Sequence, residues 1–183
     1  MKKKICRGIL RLFRWKILND VPQEDKCVIL GVPHTSIWDF ALAWLYYGAQ
    51  GCKLRCMIKK EMFFPPLGWL LRAMGAFPVD RSHSTGLVKS IVKEMQTCEH
   101  FHIGIAPEGT RKPVRKWKSG FYYIAQKAGI PVYMGVIDWR TKTVGNAGRF
   151  EMTGDASTDL PRLQQTYEEM HLTGKHPGKY LTH

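Results

Sequence analysis

Four short runs of β-branched and apolar residues, "CVILGV" at 27–32, "KLRCMIK" at 53–59, "FHIGIA" at 101–106 and "PVYMGVI" at 131–137, are each bounded by glycine, proline or charge. Runs of this length and composition read as strands. Between them lie helical patterns at 37–51, 85–96 and 119–129. In the second, Leu87, Val88, Ile91, Val92 and Met95 share one face, and the third ends in Gly129 and Pro131. Strands that alternate with helices admit few architectures. The pattern predicts an α/β fold, a single domain with a mostly parallel central sheet flanked by helices and with functional residues in loops at the carboxyl ends of strands. Residues 158–172 carry the pattern of a last helix, and no fixed period repeats along the chain.

The 183 residues, 44% of them hydrophobic, suit one core. Lys and Arg number 28 against 15 Asp and Glu, a formal charge of +13 that implies an anionic partner: nucleic acid, anionic lipid or a phosphorylated small molecule. The longest apolar run, residues 62–71, is too short to span a bilayer and holds two prolines. Arg7, Arg11 and Arg14 interrupt any apolar leader, so a cytoplasmic chain is expected. Five cysteines, odd in number and without a C-x-x-C pair, read as small buried thiols, and neither disulfides nor a metal site is expected.

The N-terminal stretch divides into a basic arc, Lys3, Lys4, Arg7, Arg11 and Arg14, and an apolar arc, Ile5, Ile9, Leu10, Leu12, Phe13 and Ile17. This predicts a basic amphipathic helix at residues 1–20, ahead of a main domain at 21–183. Such a helix either lies in a membrane interface, with cations toward lipid phosphates, or packs on its own domain.

"GVPHTSIWDF" at 31–40 sets His34, Ser36 and Asp39 at a strand-to-helix turn. Ser36 followed three positions later by Asp39 is a capping-box pattern, with Ser36 as N-cap and Asp39 reaching back to its amide. An aspartate in the first helical turn can equally accept from the ring N–H of His34, fix its tautomer and leave the other ring nitrogen as a base. "IAPEGTRKPVRKWKSG" at 105–120 places Glu108, Gly109, Thr110 and Arg111 in a loop after a strand, with Lys118 behind them. Gly109 allows close approach and Arg111 offers a donor fork, so the loop reads as a phosphate cradle or as a solvated surface turn. "GAFPVDRS" at 75–82 is a short apolar strand ending in Asp80 and Arg81. The apolar 62–75 stretch fits an acyl tunnel, a bilayer contact or core.

Taken in order, these fragments resemble the glycerolipid acyltransferase family, whose best-known members are the 1-acyl-glycerol-3-phosphate acyltransferases. That family carries an H-x4-D block, matched by His34 and Asp39; a block close to G-x-[IF]-[FI]-[IV]-[DR]-R, matched by residues 75–81; an E-G-T-R block, matched by residues 108–111; and a V-P-[IVL]-x-P-V block, resembled by 128–137. "WKSG" at 117–120 is similar to the family's F-K-x-G. The fourth block has Met134 and Gly135 where a second proline is expected.

The resemblance implies a glycerol-phosphate-acyltransferase-like fold, with residues 21–183 as the acyltransferase domain, and acyl transfer from acyl-CoA or acyl-carrier protein to a hydroxyl of a lysophospholipid or glycerol phosphate, 1-acyl-glycerol-3-phosphate above all. No cofactor beyond the acyl co-substrate is implied. His34 would be the general base, Asp39 its support, and Glu108, Gly109, Thr110 and Arg111, helped by Arg81 and Lys118, would hold the acceptor's phosphate. An anionic membrane surface is the implied partner, on the inner face of the cell membrane. Three rivals stand beside this reading: an acyltransferase for amino-acid- or sugar-containing lysolipids; a basic nucleic-acid-binding module, against which the chain shows no recognised nucleic-acid motif; and an inactive lipid-binding relative, against which the blocks at His34, Asp39 and Arg111 are intact.

Overall fold

A computed structural model of the chain describes residues 2–79 and 84–180. The elements run α1 (Lys2–Leu12), β1 (Lys16–Leu18), β2 (Lys26–Leu30), α2 (Trp38–Gln50), β3 (Arg55–Lys59), a 3-10 turn (Lys60–Met62), α3 (Leu67–Ala73), β4 (Ala76–Val79), α4 (Ser84–Gln96), β5 (Phe101–Ile105), α5 (Gly120–Ala128), β6 (Val132–Asp138), β7 (Thr143–Phe150), α6 (Ala156–Glu169) and a second 3-10 turn (Pro177–Lys179). The strands form one sheet in the order β1-β7-β6-β2-β5-β3-β4. β6, β2, β5, β3 and β4 pair in parallel; β7 runs antiparallel to β6, and β1 runs parallel to β7. The expected α/β fold with a mostly parallel sheet is the one observed.

Both faces of the sheet are covered, as a parallel sheet requires. Val28 and Leu30 of β2 join Ile91, Met95, Phe121, Tyr122, Leu163 and Tyr167 in a core built with α4, α5 and α6. Ile29 points to the other face and packs with Cys6, Leu10, Leu42, Tyr46 and Tyr47 of α1 and α2. The α4 face read from periodicity is the buried one: Ile91, Val92 and Met95 are inside. Burying each such side chain contributes about 1.5–3 kcal/mol.

β6 is drawn close to β2 at Gly135. A Cβ there would come within 2.1 Å of the Leu30 carbonyl oxygen, so no side chain fits, and the Tyr167 hydroxyl donates to the Gly135 carbonyl at 3.0 Å.

The N-terminal segment differs from expectation. The helix ends at Leu12, and Arg14, with φ of 60°, turns the chain so that Lys16–Leu18 becomes an edge strand paired with β7. α1 docks on α2 through Cys6 and Leu10, with the Cys6 sulfur against Gly48. One member of the basic arc is engaged there, the Arg7 Nε donating to the Ala49 carbonyl at 2.8 Å, and Lys2, outside that arc, lies over the Trp44 ring. Ile5, Leu12 and Phe13 of the expected apolar arc face outward. The apolar stretch after β3 is only in part core: Leu71 is buried, while Phe64, Trp69 and Leu70 are exposed. Among the described residues no helix is long and apolar enough to cross a membrane.

Candidate active site

β6, β2 and β5 are neighbours and parallel, so the chain leaves all three at one edge of the sheet. The turn after β2 carries His34 to Asp39, the loop after β5 carries Glu108 to Arg111, and the hairpin turn after β6 carries Trp139. This is the carboxyl edge where open α/β sheets hold their ligands.

Asp39 organises the β2 turn. It sits in the first turn of α2 and is 2% exposed. Its Oδ2 accepts from the amides of Thr35 (2.8 Å) and Ser36 (2.7 Å), and its Oδ1 accepts from the indole Nε1–H of Trp139 (2.8 Å). The His34 Nδ1 lies 3.5 Å from the same Oδ2. That spacing is longer than a formed N–H···O bond, as catalytic contacts often are before substrate binds. His34 keeps 27% of its side-chain surface exposed, whereas its carboxylate partner is shut off from water.

The capping-box expectation holds in part. Asp39 does reach back to the Ser36 amide, but the Ser36 Oγ accepts from Trp38 N, two positions on rather than three, at 3.3 Å. The residue directly before α2 is Ile37, which makes no side-chain cap bond. Cap and histidine support are thus one arrangement, because a carboxylate has lone pairs enough on two oxygens for the amides, the indole and the imidazole.

The β5 loop meets this turn through Glu108, 5% exposed, whose Oε1 accepts from the backbone N–H of His34 at 2.9 Å. Its Oε2 is buried without a hydrogen-bond partner among the described residues. Burial pushes the Glu108 carboxyl up to about 7, against the smaller opposing pull of the His34 amide and ring. Gly109 has φ of 67°, and a Cβ on it would meet the Lys118 side chain at 2.7 Å. The loop thus folds back so that Lys118 lies over Gly109, with the Lys118 amide donating to the Pro107 carbonyl at 2.8 Å. Thr110 Oγ1 accepts from the Lys112 amide at 3.2 Å. Arg111 is exposed and makes no ion pair or hydrogen bond among the described residues.

Of the site residues read from the sequence, His34, Asp39 and Glu108 meet directly, Gly109 and Lys118 meet each other, and Thr110 and Arg111 follow in the same loop. Arg81 lies outside the described residues. Trp139 was not legible as a site residue: a tryptophan in a turn carries no local signal, and its bond to Asp39 joins positions 100 apart in the chain. Among the described residues no group of three or more His, Cys, Asp or Glu side chains is placed to hold a metal ion.

Comparison with known proteins accords with this geometry. The chain is 28% identical over 136 residues to a 1-acyl-sn-glycerol-3-phosphate acyltransferase of Streptococcus pneumoniae, covering 69% of this chain and 50% of that protein. It is 33% identical over 122 residues to the Pseudomonas aeruginosa protein of the same name, covering 63% and 45%. The chain therefore spans about half the length of these curated relatives. Its fold matches the crystal structure of the 1-acyl-sn-glycerophosphate (LPA) acyltransferase PlsC from Thermotoga maritima with a TM-score of 0.57 at 17% identity, over 92% of this chain and 74% of that one. The acyltransferase family model matches residues 13–137, which include both the His34–Asp39 turn and the Glu108–Arg111 loop, and the chain belongs to that family.

Proposed function

We propose that the protein transfers a fatty acyl group from a thioester, acyl-CoA or acyl-carrier protein, to the free hydroxyl of 1-acyl-glycerol-3-phosphate. The observation that carries this reading is the linkage of the two loops: His34, paired through its ring with buried Asp39, is tied through its own amide to Glu108 at the head of the Glu108–Arg111 loop. A proton acceptor and an exposed guanidinium thus leave neighbouring strands at one edge. The names of the two curated relatives support the same acceptor.

The chemistry follows from the groups. An alcohol is a poor nucleophile near neutral pH, and His34 removes its proton as the oxygen attacks the thioester carbonyl. The tetrahedral intermediate collapses by breaking the C–S bond, and the imidazolium returns its proton to the departing thiolate. The products are the ester and the free thiol. Because a thiolate leaves readily, this route requires neither a metal nor a covalent acyl-enzyme. Asp39 orients the ring and stabilises the imidazolium. Arg111, Thr110 and Lys118 supply donors for the acceptor's phosphate, with Gly109 giving close approach and Glu108 anchoring the loop.

A lipid acceptor also needs a membrane surface. Ile37 and Trp38 beside His34, Phe64 and Met62 leaving β3, and Leu12 and Phe13 at the end of α1 are exposed apolar side chains on a chain of net charge +13. This combination fits peripheral docking on an anionic bilayer at the cytoplasmic face.

Purified protein incubated with radiolabelled acyl-CoA or acylated carrier protein and a panel of lysolipids tests the proposal. Labelled product from 1-acyl-glycerol-3-phosphate, lost in His34→Ala, is expected. Product only from amino-acid- or sugar-containing lysolipids would reassign the acceptor, and full turnover in His34→Ala would remove the histidine from the chemistry.

A further inference from the structure

Trp139 and residues 173–176 lie beyond the stretch that matches the family, yet they converge on the catalytic turn from outside it. The Trp139 indole N–H donates to Asp39 Oδ1 at 2.8 Å, on the oxygen not taken by the two amides. Trp139 is itself held on several sides. Its backbone N–H donates to the Thr173 carbonyl at 2.8 Å, and its ring packs edge-on against Trp15 at 5.1 Å. The Lys175 ammonium lies 5.0 Å from the ring centroids of both Trp139 and Trp38, tying the turn after β6 to the start of α2.

The same segment grips the turn between His34 and Asp39. The His176 amide donates to Thr35 Oγ1 at 3.3 Å, and Gly174 sits so close to Thr35 that a Cβ would stand 2.5 Å from its Cγ2. Thr173 N donates to Asp138 Oδ1 at 3.1 Å, fixing the strap to the end of β6. Four consecutive residues thus contact both ends of the β2–α2 turn and the tryptophan that bonds its aspartate.

Without these contacts, Asp39 Oδ1 would lose its partner, and the plane of the carboxylate would rest on the two amides at Oδ2 alone. A carboxylate that supports a base must keep one oxygen aimed at the ring nitrogen, and such aim comes from the groups around it. We infer that Trp139, clamped by residues 173–176, is a positioning residue that orients the Asp39 carboxylate toward His34 Nδ1. This rests on the acyl-transfer reading for its catalytic consequence, though not for the geometry itself.

Trp139→Phe keeps an aromatic ring and removes the N–H. Its kcat should fall about tenfold, the scale of one hydrogen bond to a charged group, with the acceptor KM within about twofold of wild type. In the same sample, the ¹⁵N shifts of the His34 ring should move from those of one tautomer toward an average of two, a change that lost packing alone would not produce. Lys175→Met, at a half-buried position, should give a smaller loss of kcat and ring shifts in the same direction. Should Trp139→Phe fail to fold, Lys175→Met decides. A folded variant with unchanged kcat and unchanged ring shifts overturns the inference. If wild type transfers no acyl group to any lysolipid while the ring shifts still respond to Trp139→Phe, the proposed reaction fails and the positioning role stands.

Discussion

The turn after β2 and the loop after β5 leave adjacent strands at the same edge, yet they treat their polar groups in opposite ways. In the turn, Asp39 is saturated, with two amides, an indole and an imidazole around two oxygens. In the loop, Glu108 has one buried oxygen without a partner among the described residues, and Arg111 is exposed. The first is organised before anything binds, as the proposed base requires if it is not to reorganise during reaction. The second has donors still unused, the state expected of a surface that acquires its partner from an anionic substrate.

This contrast breaks first at the saturated turn. His34→Ala should cut turnover by about 10²-fold with the fold intact, the usual scale for a lost general base, measured as initial rate beside a thermal melt. Asp39→Asn should do more than slow the enzyme. An amide nitrogen cannot accept, so one face of the side chain would confront N–H donors, and stability should fall by about 1–3 kcal/mol in urea titration together with the rate. A variant that is slow but fully stable would show that the carboxylate's structural bonds matter less than its charge.

Glu108→Gln sharpens the other side. A carboxyl held near 7 in the fold against an ordinary value of 4.5 binds more protons folded than unfolded between those limits, so its contribution lowers stability as pH rises through that window. Glutamine still accepts from the His34 amide but does not ionise. The variant should therefore gain on wild type by about 2–3 kcal/mol between pH 4.5 and pH 8. An unchanged difference at the two pH values would show that Glu108 ionises normally where it sits.

Arg111→Ala addresses the unused donors. The acceptor KM should rise about tenfold with kcat nearly unchanged and no loss of thermal stability, since the guanidinium is exposed and makes no ion pair or hydrogen bond among the described residues. A fall in kcat alone would place it in the chemistry rather than in binding. The smallest effect is expected at α1. Deleting the segment would also strip Cys6 and Leu10 from the core, so Leu12→Ser with Phe13→Ser is the cleaner probe. Binding to anionic vesicles should weaken several-fold while the melt is unchanged; undiminished binding would move the docking surface elsewhere.

Much of the fold was legible because hydrophobic periodicity is local. The β2, β3, β5 and β6 runs and the α2, α4 and α5 patterns each declared themselves within one short stretch of chain. β7 did not, since "TVGNAGRF" carries glycines, an asparagine and an arginine inside the strand, and only antiparallel pairing with β6 makes it one. β1 is three exposed residues that take strand form only by lying against β7. The expected helix over this region failed for that reason: edge pairing outweighed the helical periodicity beyond Leu12.

The site divides along the same line. The sequence by itself determined that a histidine and an aspartate five positions apart share one turn at a strand end, and that Glu108, Gly109, Thr110 and Arg111 share another, because chain connectivity alone brings such neighbours together. Only the tertiary structure decided that these two turns are adjacent, that Glu108 holds the His34 amide across 74 positions, and that Trp139 holds Asp39 across 100. Contacts of that range depend on strand order, which is set by how whole faces of the sheet are covered and not by any pattern within a single stretch of chain.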